Sequence, residues 1–539
     1  MIRIEKFLLF VFLLGSLNLL AQDKELAKII NWYNGPKQGM STDLAYKKLL
    51  AGKKSEPVVV AVIDSGVDIE HQDLKDRIWV NKDEIPDNGI DDDKNGYIDD
   101  VYGWSFLGNP DGEDVEHEQL EVTRIYARLH KKFDGVNESD VADADKADYE
   151  LYQEVKGKVE SELETSAKNL TQYEQIMDKM EGADAMLKKA NDGADYTLKD
   201  LKKLKKSDDK EVAASAEMMS QMMSMGLTMK RLQGAIDHFK GSSEYHYNPE
   251  FDARAVVGDN PADFNDKYYG CNDVEGPDAF HGTHCAGIIG AVRGNGIGGD
   301  GVADNVLIMS VRAVPDGDER DKDIALAIRY AVDNGAQVCN MSFGKSYSSY
   351  PDEVIEAIKY AEEKGVLLVH AAGNSNMDTE KNSNYPSPQY PGMTERFTNW
   401  IEVGASTRYE KPVYLEKDGK LKKYSVGLAA SFSNYSDKVV DIFAPGLEIY
   451  STVPQSDYAA IQGTSMAAPM VAGLAALLKS YFPELTMFQI KDIILKSGQD
   501  LGGQMVFLPG THDEIEFKKL SRTGMVANVY NAVEMAMGM

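Results

Sequence analysis

Apolar residues in this chain follow two alternating rhythms. Residues 58–63, VVVAVI, are an unbroken, mostly β-branched run, the pattern of a strand buried on both faces. Similar runs recur at 306–314, 337–341, 366–371, 401–405 and 439–443. Stretches with helical spacing separate several of them: 322–334 (KDIALAIRYAVDN), 352–364 and 465–481. Strand, helix, strand at this spacing predicts crossover units, and so an α/β fold whose parallel sheet carries helices on both faces.

One region breaks the rhythm. From 113 to 245 the chain is rich in Lys, Glu, Asp, Ala and Met, and has no proline. Such residues favour helix throughout, which predicts a largely helical insertion within the α/β domain. Its methionine cluster, MMSQMMSMGLTM at 218–229, reads as a flexible apolar seam between insertion helices. The alternative is an adhesive surface for a partner or for the domain's own cleft.

The chain opens with Arg3 and Lys6, an apolar stretch over residues 7–20, and Ala21. That is the layout of a secretory signal peptide, too short to span a membrane. The expected organisation is a signal peptide at 1–21, a short segment at 22–54, and an α/β domain in two parts, 55–112 and 246–538, around the insertion 113–245. Export to the periplasm, the cell surface or the medium follows, with no membrane span left after cleavage.

The formal charge of −29 excludes a nucleic-acid partner, which needs basic patches. It favours solubility and cation binding. Three cysteines, Cys271, Cys285 and Cys339, cannot build a disulfide framework. Free buried thiols are expected, with a Cys271–Cys285 bridge as the alternative.

GTSMAAP, residues 463–469, places Ser465 at the mouth of a helix. A helix cap is one reading. A nucleophile is the other, and it needs an imidazole base and a carboxylate to orient that base. His71, His117, His130, His238, His246 and His512 read as surface residues. His370 reads as a core or near-site residue. HGTHCAG, residues 281–287, remains. His281 and His284 there offer a base or, alternatively, a metal pair, though the Glu that zinc proteases place beside such histidines is missing. Asp64 ends the strand at 58–63, where open α/β sheets carry function. Standing alone, it would be a turn residue.

VVVAVIDSGVD, HGTHCAG, AAGN (371–374) and GTSMAAP together resemble the subtilisin-like serine proteases, or subtilases. The resemblance covers about 55–112 and 246–538. It implies a serine endopeptidase acting on protein or peptide substrates through an acyl-enzyme. Asp64 is then the orienting acid, His281 the base and Ser465 the nucleophile, with His284 structural. Asn374 and the Ser465 backbone N–H are the oxyanion donors. Ser342, Phe343 and Gly344 are the edge that pairs with substrate, and Ala371, Ala372 and Gly373 the other wall of the P1 slot. A non-catalytic binding protein on the same scaffold is the rival reading. All four of Asp64, His281, Asn374 and Ser465 being present favours the enzyme. Catalysis needs no cofactor.

GIDDDKNGYIDD, residues 89–100, follows the opening of a calcium loop. Asp91, Asp93, Asn95, the Tyr97 carbonyl and Asp99 are the expected ligands, with Asp100 as an alternative to Asp99. The final Glu of an EF-hand is absent, so a plain acidic turn is the rival. GNGIGG, residues 294–299, follows a helix, not a strand, and reads as a turn. Between Ala21 and Val58 there is too little chain for a folded propeptide. The insertion, entering between Asp64 and His281, is therefore expected to assist folding or guard the cleft.

Overall fold

The computed structural model describes residues 26–410, 413–417 and 420–539. The expected signal peptide lies outside the described residues. Nine strands make one sheet: β1 Val58–Asp64, β2 Gly103–Ser105, β3 Val306–Arg312, β4 Val338–Met341, β5 Leu367–Ala371, β6 Trp400–Ser406, β7 Ile442–Pro445, β8 Gln499–Asp500 and β9 Met525–Val526. Their order across the sheet is β8–β9–β7–β6–β5–β4–β1–β3–β2. Every neighbouring pair is parallel except β8–β9.

β1 is the pivot of this order. The chain builds β2 and β3 on one side of it and β4 to β7 on the other. The carboxyl end of such a switch strand faces a crevice instead of a connecting loop. Asp64 stands there.

Alternate strand residues turn to opposite faces. Val60, Val62, Val338, Val369 and Val403 share a core with the helices Phe280–Gly290 and Thr464–Tyr481. Helices Asp321–Asp333 and Pro351–Glu363 bury Ile324, Ile328, Val354 and Ile358 outside that core. The sheet is thus covered on both faces. Tyr33, Met40, Ala45 and Leu50 of the N-terminal segment belong to the first core, so this segment is part of the fold.

The expected strand at 439–443 forms three residues later, at Ile442–Pro445. Val439 and Val440 precede the ladder, and Val440 is buried in a satellite cluster with Phe443 and Phe517. Its apolarity reflects that packing. Among the histidines, His71 is a correction. It is fully buried, with its ring edge-on to Tyr458 and Nε2 on the Asp457 carbonyl.

The chain divides into two compact units. One runs to Glu116 and includes Arg254–Leu415 and Leu421–Met539; the other is His117–Ala253 with Glu416–Lys420. The second is helical over Glu121–Phe133, Lys146–Ala190, Leu198–Leu204, Lys210–Ser224 and Met229–Gly241. Its core holds Met177, Met180, Leu187, Leu201, Met219 and Leu232, with Met218, Met222 and Met223 packed against them. The methionine run is therefore a seam within this unit. Leu120 N–H bonds to the His246 carbonyl, so the unit's entry and exit lie side by side.

Candidate active site

Asp64 is 1% exposed. Its Oδ1 accepts the Ser65 N–H at 2.8 Å and faces His281 Nδ1 at 2.7 Å. Gly282 makes this approach possible. A methyl on its Cα would lie 2.1 Å from the Gly66 carbonyl oxygen and 3.1 Å from the Asp64 Cβ. Thr283 Oγ1 accepts the Asp68 N–H, tying the His281 helix to the loop after β1. Burial lowers the His281 pKa. The Asp64 charge and hydrogen bond, with a smaller contribution from Asp278, outweigh it and leave the imidazole above its ordinary value.

His284 has different partners. It is fully buried, with Nε2 3.1 Å from both the Ile449 and the Ala459 carbonyls of a hairpin. Burial, reinforced by the nearby His281, pushes its pKa down to about 4, so its ring is a neutral strut. Its partners are not those of His281, so the two rings do not form a metal pair. All three cysteines are free and buried.

Ser465 lies one residue inside the helix Thr464–Tyr481, whose N-cap is Gly463. It is not itself the cap. Its backbone N–H is one of the first-turn donors that no helical carbonyl reaches. A methyl on Gly463 would sit 3.4 Å from Asn374 Nδ2 and 3.5 Å from Ser465 N. Both donors therefore border one open space. Asn374 Oδ1 accepts the Thr464 N–H at 2.8 Å and its hydroxyl at 3.0 Å. That fixes the amide so that Nδ2 is its donor toward this space.

Pro469 lies inside the helix, beyond its first turn. It has no N–H for the Ser465 carbonyl four residues back. Ser342 Oγ at 2.9 Å and Cys285 Sγ at 3.4 Å bond that carbonyl instead. The proline thus frees an acceptor that ties the Ser465 helix to both the His281 helix and the chain after β4. Gly473 faces Val302 and the Ile289 carbonyl, so it serves contact with the His281 helix. The Ser465 hydroxyl donates to the Ser342 carbonyl at 3.1 Å, not to His281.

Ser342, Ala371 and Ala372 are buried, Phe343 and Gly373 half-buried and Gly344 exposed. Two asparagines that the sequence did not single out back these walls. Asn384 Nδ2 donates to the Ala371 carbonyl, and Asn434 Nδ2 to that of Ala372. A methyl on Gly344 would meet the Asn384 amide at 2.5 Å. A cleft of about 380 Å³ is lined by Asp64, His281 and Ser342–Phe343–Gly344. His370 is buried behind it, with Nδ1 on the Glu402 carboxylate, which also accepts the Trp400 indole N–H.

The acidic loop arranges itself differently from the expected ligand set. Asp91 accepts the Asn95 and Gly96 N–H groups, and Asp99 those of Asn88 and Gly89. Tyr97 buries its ring against Trp104, Phe106 and Tyr330. Carboxylate oxygens of Glu84, Asp93 and Asp100 lie within 4.8 Å of one another. Glu84 is 6% exposed, and its Oε2 has no hydrogen-bond partner. Asn95 Nδ2 donates to Asp93 and Asp100, as does Asn81 Nδ2. Glu84 was missed because it lies outside the motif. Only the turn between them brings it in.

A parallel sheet with an aspartate, a histidine and a serine gathered at one edge defines a class of α/β proteins built around a serine. Within it, this chain belongs to the subtilase family, whose model matches residues 55–509. It is 38% identical over 234 residues to a thermophilic serine proteinase of Bacillus sp. (strain AK1), covering 43% of this chain and 49% of that one. It is 38% identical over 201 residues to thermitase of Thermoactinomyces vulgaris, covering 37% and 61%. Subtilisin BL of Lederbergia lenta is 35% identical over 232 residues, covering 43% and 74%. The chain thus spans about half to three-fifths of the length of the first two relatives.

Proposed function

We propose that this chain is a serine endopeptidase. The carrying observation is the 2.7 Å Asp64–His281 contact beside a serine whose own N–H shares an open space with Asn374 Nδ2. Asp64 holds Nδ1 protonated, which leaves Nε2 as the base. His281 takes the Ser465 proton as Oγ leaves Ser342 and attacks a substrate carbonyl. The oxyanion forms between Asn374 Nδ2 and Ser465 N–H, donors already in place before reaction. His281 then gives its proton to the leaving amine, and water releases the acyl group by the same route. No metal or cofactor enters these steps. Labelling by a fluorophosphonate probe in the wild type, and not in Ser465→Ala, is the expected result. Labelling of both would place the nucleophile elsewhere, and labelling of neither would favour a binding protein on the subtilase scaffold.

Substrate pairs as a strand with Ser342–Phe343–Gly344, and its P1 side chain enters the slot opposite Ala371–Ala372–Gly373. Asn384 and Asn434 back this slot with polar groups. The small side chains of these walls favour a medium or large apolar P1 residue.

The acidic loop is proposed to hold calcium for stability. Its donors are all oxygens, the set a hard cation takes, and the orphaned Glu84 Oε2 fits that role. Glu84, Asp93 and Asp100 are its protein ligands. Calcium at about a hundred times its Kd should add about 2.7 kcal/mol, so chelation should lower the melting temperature. An unchanged melting temperature would leave the loop a plain acidic turn.

Export by the segment at 1–21, to the periplasm, cell surface or medium, completes the reading. Among the described residues no helix is long and apolar enough to cross a membrane. The insertion is proposed to act on the enzyme's own cleft or on a partner, from its place in the chain between Asp64 and His281. Replacing residues 121–245 by a short glycine linker tests this, since Leu120 and His246 already meet. Unchanged folding yield and activity would refute a role for it in the enzyme.

A further inference from the structure

The helical unit carries a face that neither its core nor the catalytic steps use. Residues 197–206, TLKDLKKLKK, hold five lysines and one aspartate, a local +4 in a chain of net −29. Extended to Lys210 the segment has six lysines and three aspartates and is still positive. It forms the helix Leu198–Leu204 and the turn that closes it, where the Lys206 N–H bonds to the Lys203 carbonyl. One side of this helix packs inward, with Leu201 fully buried and Leu204 half-buried in the methionine-rich core. Successive helical residues turn by about 100°, which puts Lys199, Lys202, Lys203 and Lys206 on the opposite side, within an arc of about 100°. All four are exposed. Lys203 reaches Asp200 at 3.4 Å, whereas Lys199, Lys202 and Lys206 have no ion-pair partner among the described residues. The fifth lysine, Lys205, is half-buried and pairs with Glu217 at 3.0 Å.

This face stands at one end of its unit. The helix Lys146–Ala190, of 45 residues, is about 68 Å long. Its first half holds the helix Glu121–Phe133, through Tyr126 on Glu160 and His130 on Tyr152. The unit's entry and exit, Leu120 and His246, adjoin that helix. The lysine helix lies at the other end, where Tyr196 donates to Asp184 and Lys188 pairs with Asp195. Lysines set that far from the unit's entry are presented to a partner outside the unit. Screening over about 8 Å at physiological salt keeps acidic charge elsewhere along the unit from cancelling them.

We propose that this face docks the protein on an anionic, phosphate-bearing membrane surface. Leu198 is 45% exposed. It lies four residues before Lys202 and so beside it on the helix surface. An apolar side chain among lysines suits the boundary between lipid headgroups and acyl chains. Lysine ammonium groups are mobile point charges on long stems, matched to a layer of mobile phosphates. Nucleic acid is read with arginine forks and aromatic stacking, and residues 197–210 contain neither arginine nor an aromatic residue. The export proposed above would bring this face to a cell envelope.

The test uses the full chain with Ser465→Ala, so that success or failure of the peptidase reading does not enter the readout. It is sedimented with vesicles of phosphatidylcholine alone and of an equal mixture with phosphatidylglycerol. Binding is expected to the mixed vesicles only, and it should be lost in about 1 M NaCl, where charges are screened over about 3 Å. Each lysine near such a surface contributes about fivefold to the partition constant, or roughly 1 kcal/mol. Lys202→Gln should therefore weaken binding about fivefold. Lys199→Gln, Lys202→Gln, Lys203→Gln and Lys206→Gln together should weaken it by more than about a hundredfold. All four side chains are exposed, so the melting temperature should hold in both variants. Arginine at the same four positions keeps the charge and should keep the binding. No sedimentation with mixed vesicles at low salt, or sedimentation that survives all four glutamines, overturns the docking face. Retention on duplex DNA through these lysines, with the vesicles ignored, overturns it too and assigns the face to nucleic acid.

Discussion

The two units of this protein solve different problems with the same chain. In the sheet unit, the residues that matter come from far apart: Asp64, His281, Asn374 and Ser465. Each stands at the end of a strand or the start of a helix, held by a few polar contacts. In the helical unit, one helix of 45 residues, Lys146–Ala190, is the spine against which Glu121–Phe133, Lys210–Ser224 and Met229–Gly241 pack. Its core is aliphatic and rich in methionine, a side chain that adapts to a loose fit. Fixed chemistry needs a rigid shell on regular elements. A segment free of that demand can be long and soft, provided its ends meet. The helical unit's ends do meet, at Leu120 and His246.

That contrast is sharpest where one atom decides the outcome. Ser465→Ala should lower kcat by about 10⁶ with the melting temperature nearly unchanged, because the hydroxyl's one hydrogen bond is to the Ser342 carbonyl. Asn374→Ala should lower it by about 10²–10³, a magnitude established for an oxyanion donor in a subtilisin, a relative of this chain. Asn374→Asp tests the amide's orientation. It keeps the acceptor facing Thr464 and removes the donor, so it should be as inactive as the alanine variant. If either Asn374 variant retains full rate per active site, the open space over Gly463 is not the oxyanion site.

Core truncations should separate the units by stability. Leu477 and Leu187 are both fully buried, one in each unit. Each Leu→Ala change should cost about 2–5 kcal/mol in its own unit. Leu477→Ala loosens the helix that carries Ser465, so activity should fall with stability on heating. Leu187→Ala should lower an earlier melting step while activity per labelled site persists. A single shared transition that both variants shift equally would mean that the units melt as one, and the contrast would be wrong.

The sheet was readable because buried parallel strands and their crossover helices write continuous apolar runs. The exception, at 439–443, is a run in which Val440 is buried without being in the ladder. The four reactive residues were readable because each carries a short motif whose small residues are sterically required, as Gly282 is. What the sequence concealed was contact between distant segments. Asn384 and Asn434 back the slot from loops with no motif of their own. Glu84 joins Asp93 and Asp100 only through a turn. The part that Pro469 plays in freeing the Ser465 carbonyl appears only once Ser342 and Cys285 are seen on that atom.

The smallest expected effect concerns protons, and it ties Asp278 to the base. His281 must be neutral to accept the Ser465 proton, so activity rises as pH climbs through its pKa. Burial alone would lower that pKa. Asp64 first, and Asp278 after it, raise it above the ordinary 6.5. The acidic limb of kcat/KM, measured on a substrate with no titratable side chain, should therefore lie above 6.5. Asp278→Asn removes one of the raising charges and should move the limb to lower pH. Stability runs the other way. A histidine whose folded pKa is raised stabilises the fold below its unfolded value, and that contribution is lost as pH climbs through the folded value. The pH rise that frees the base for catalysis thus gives up the proton that strengthens its contact with Asp64. Asp278→Asn should shrink both effects together. A limb that stays fixed in this variant would show that Asp278 does not act on His281.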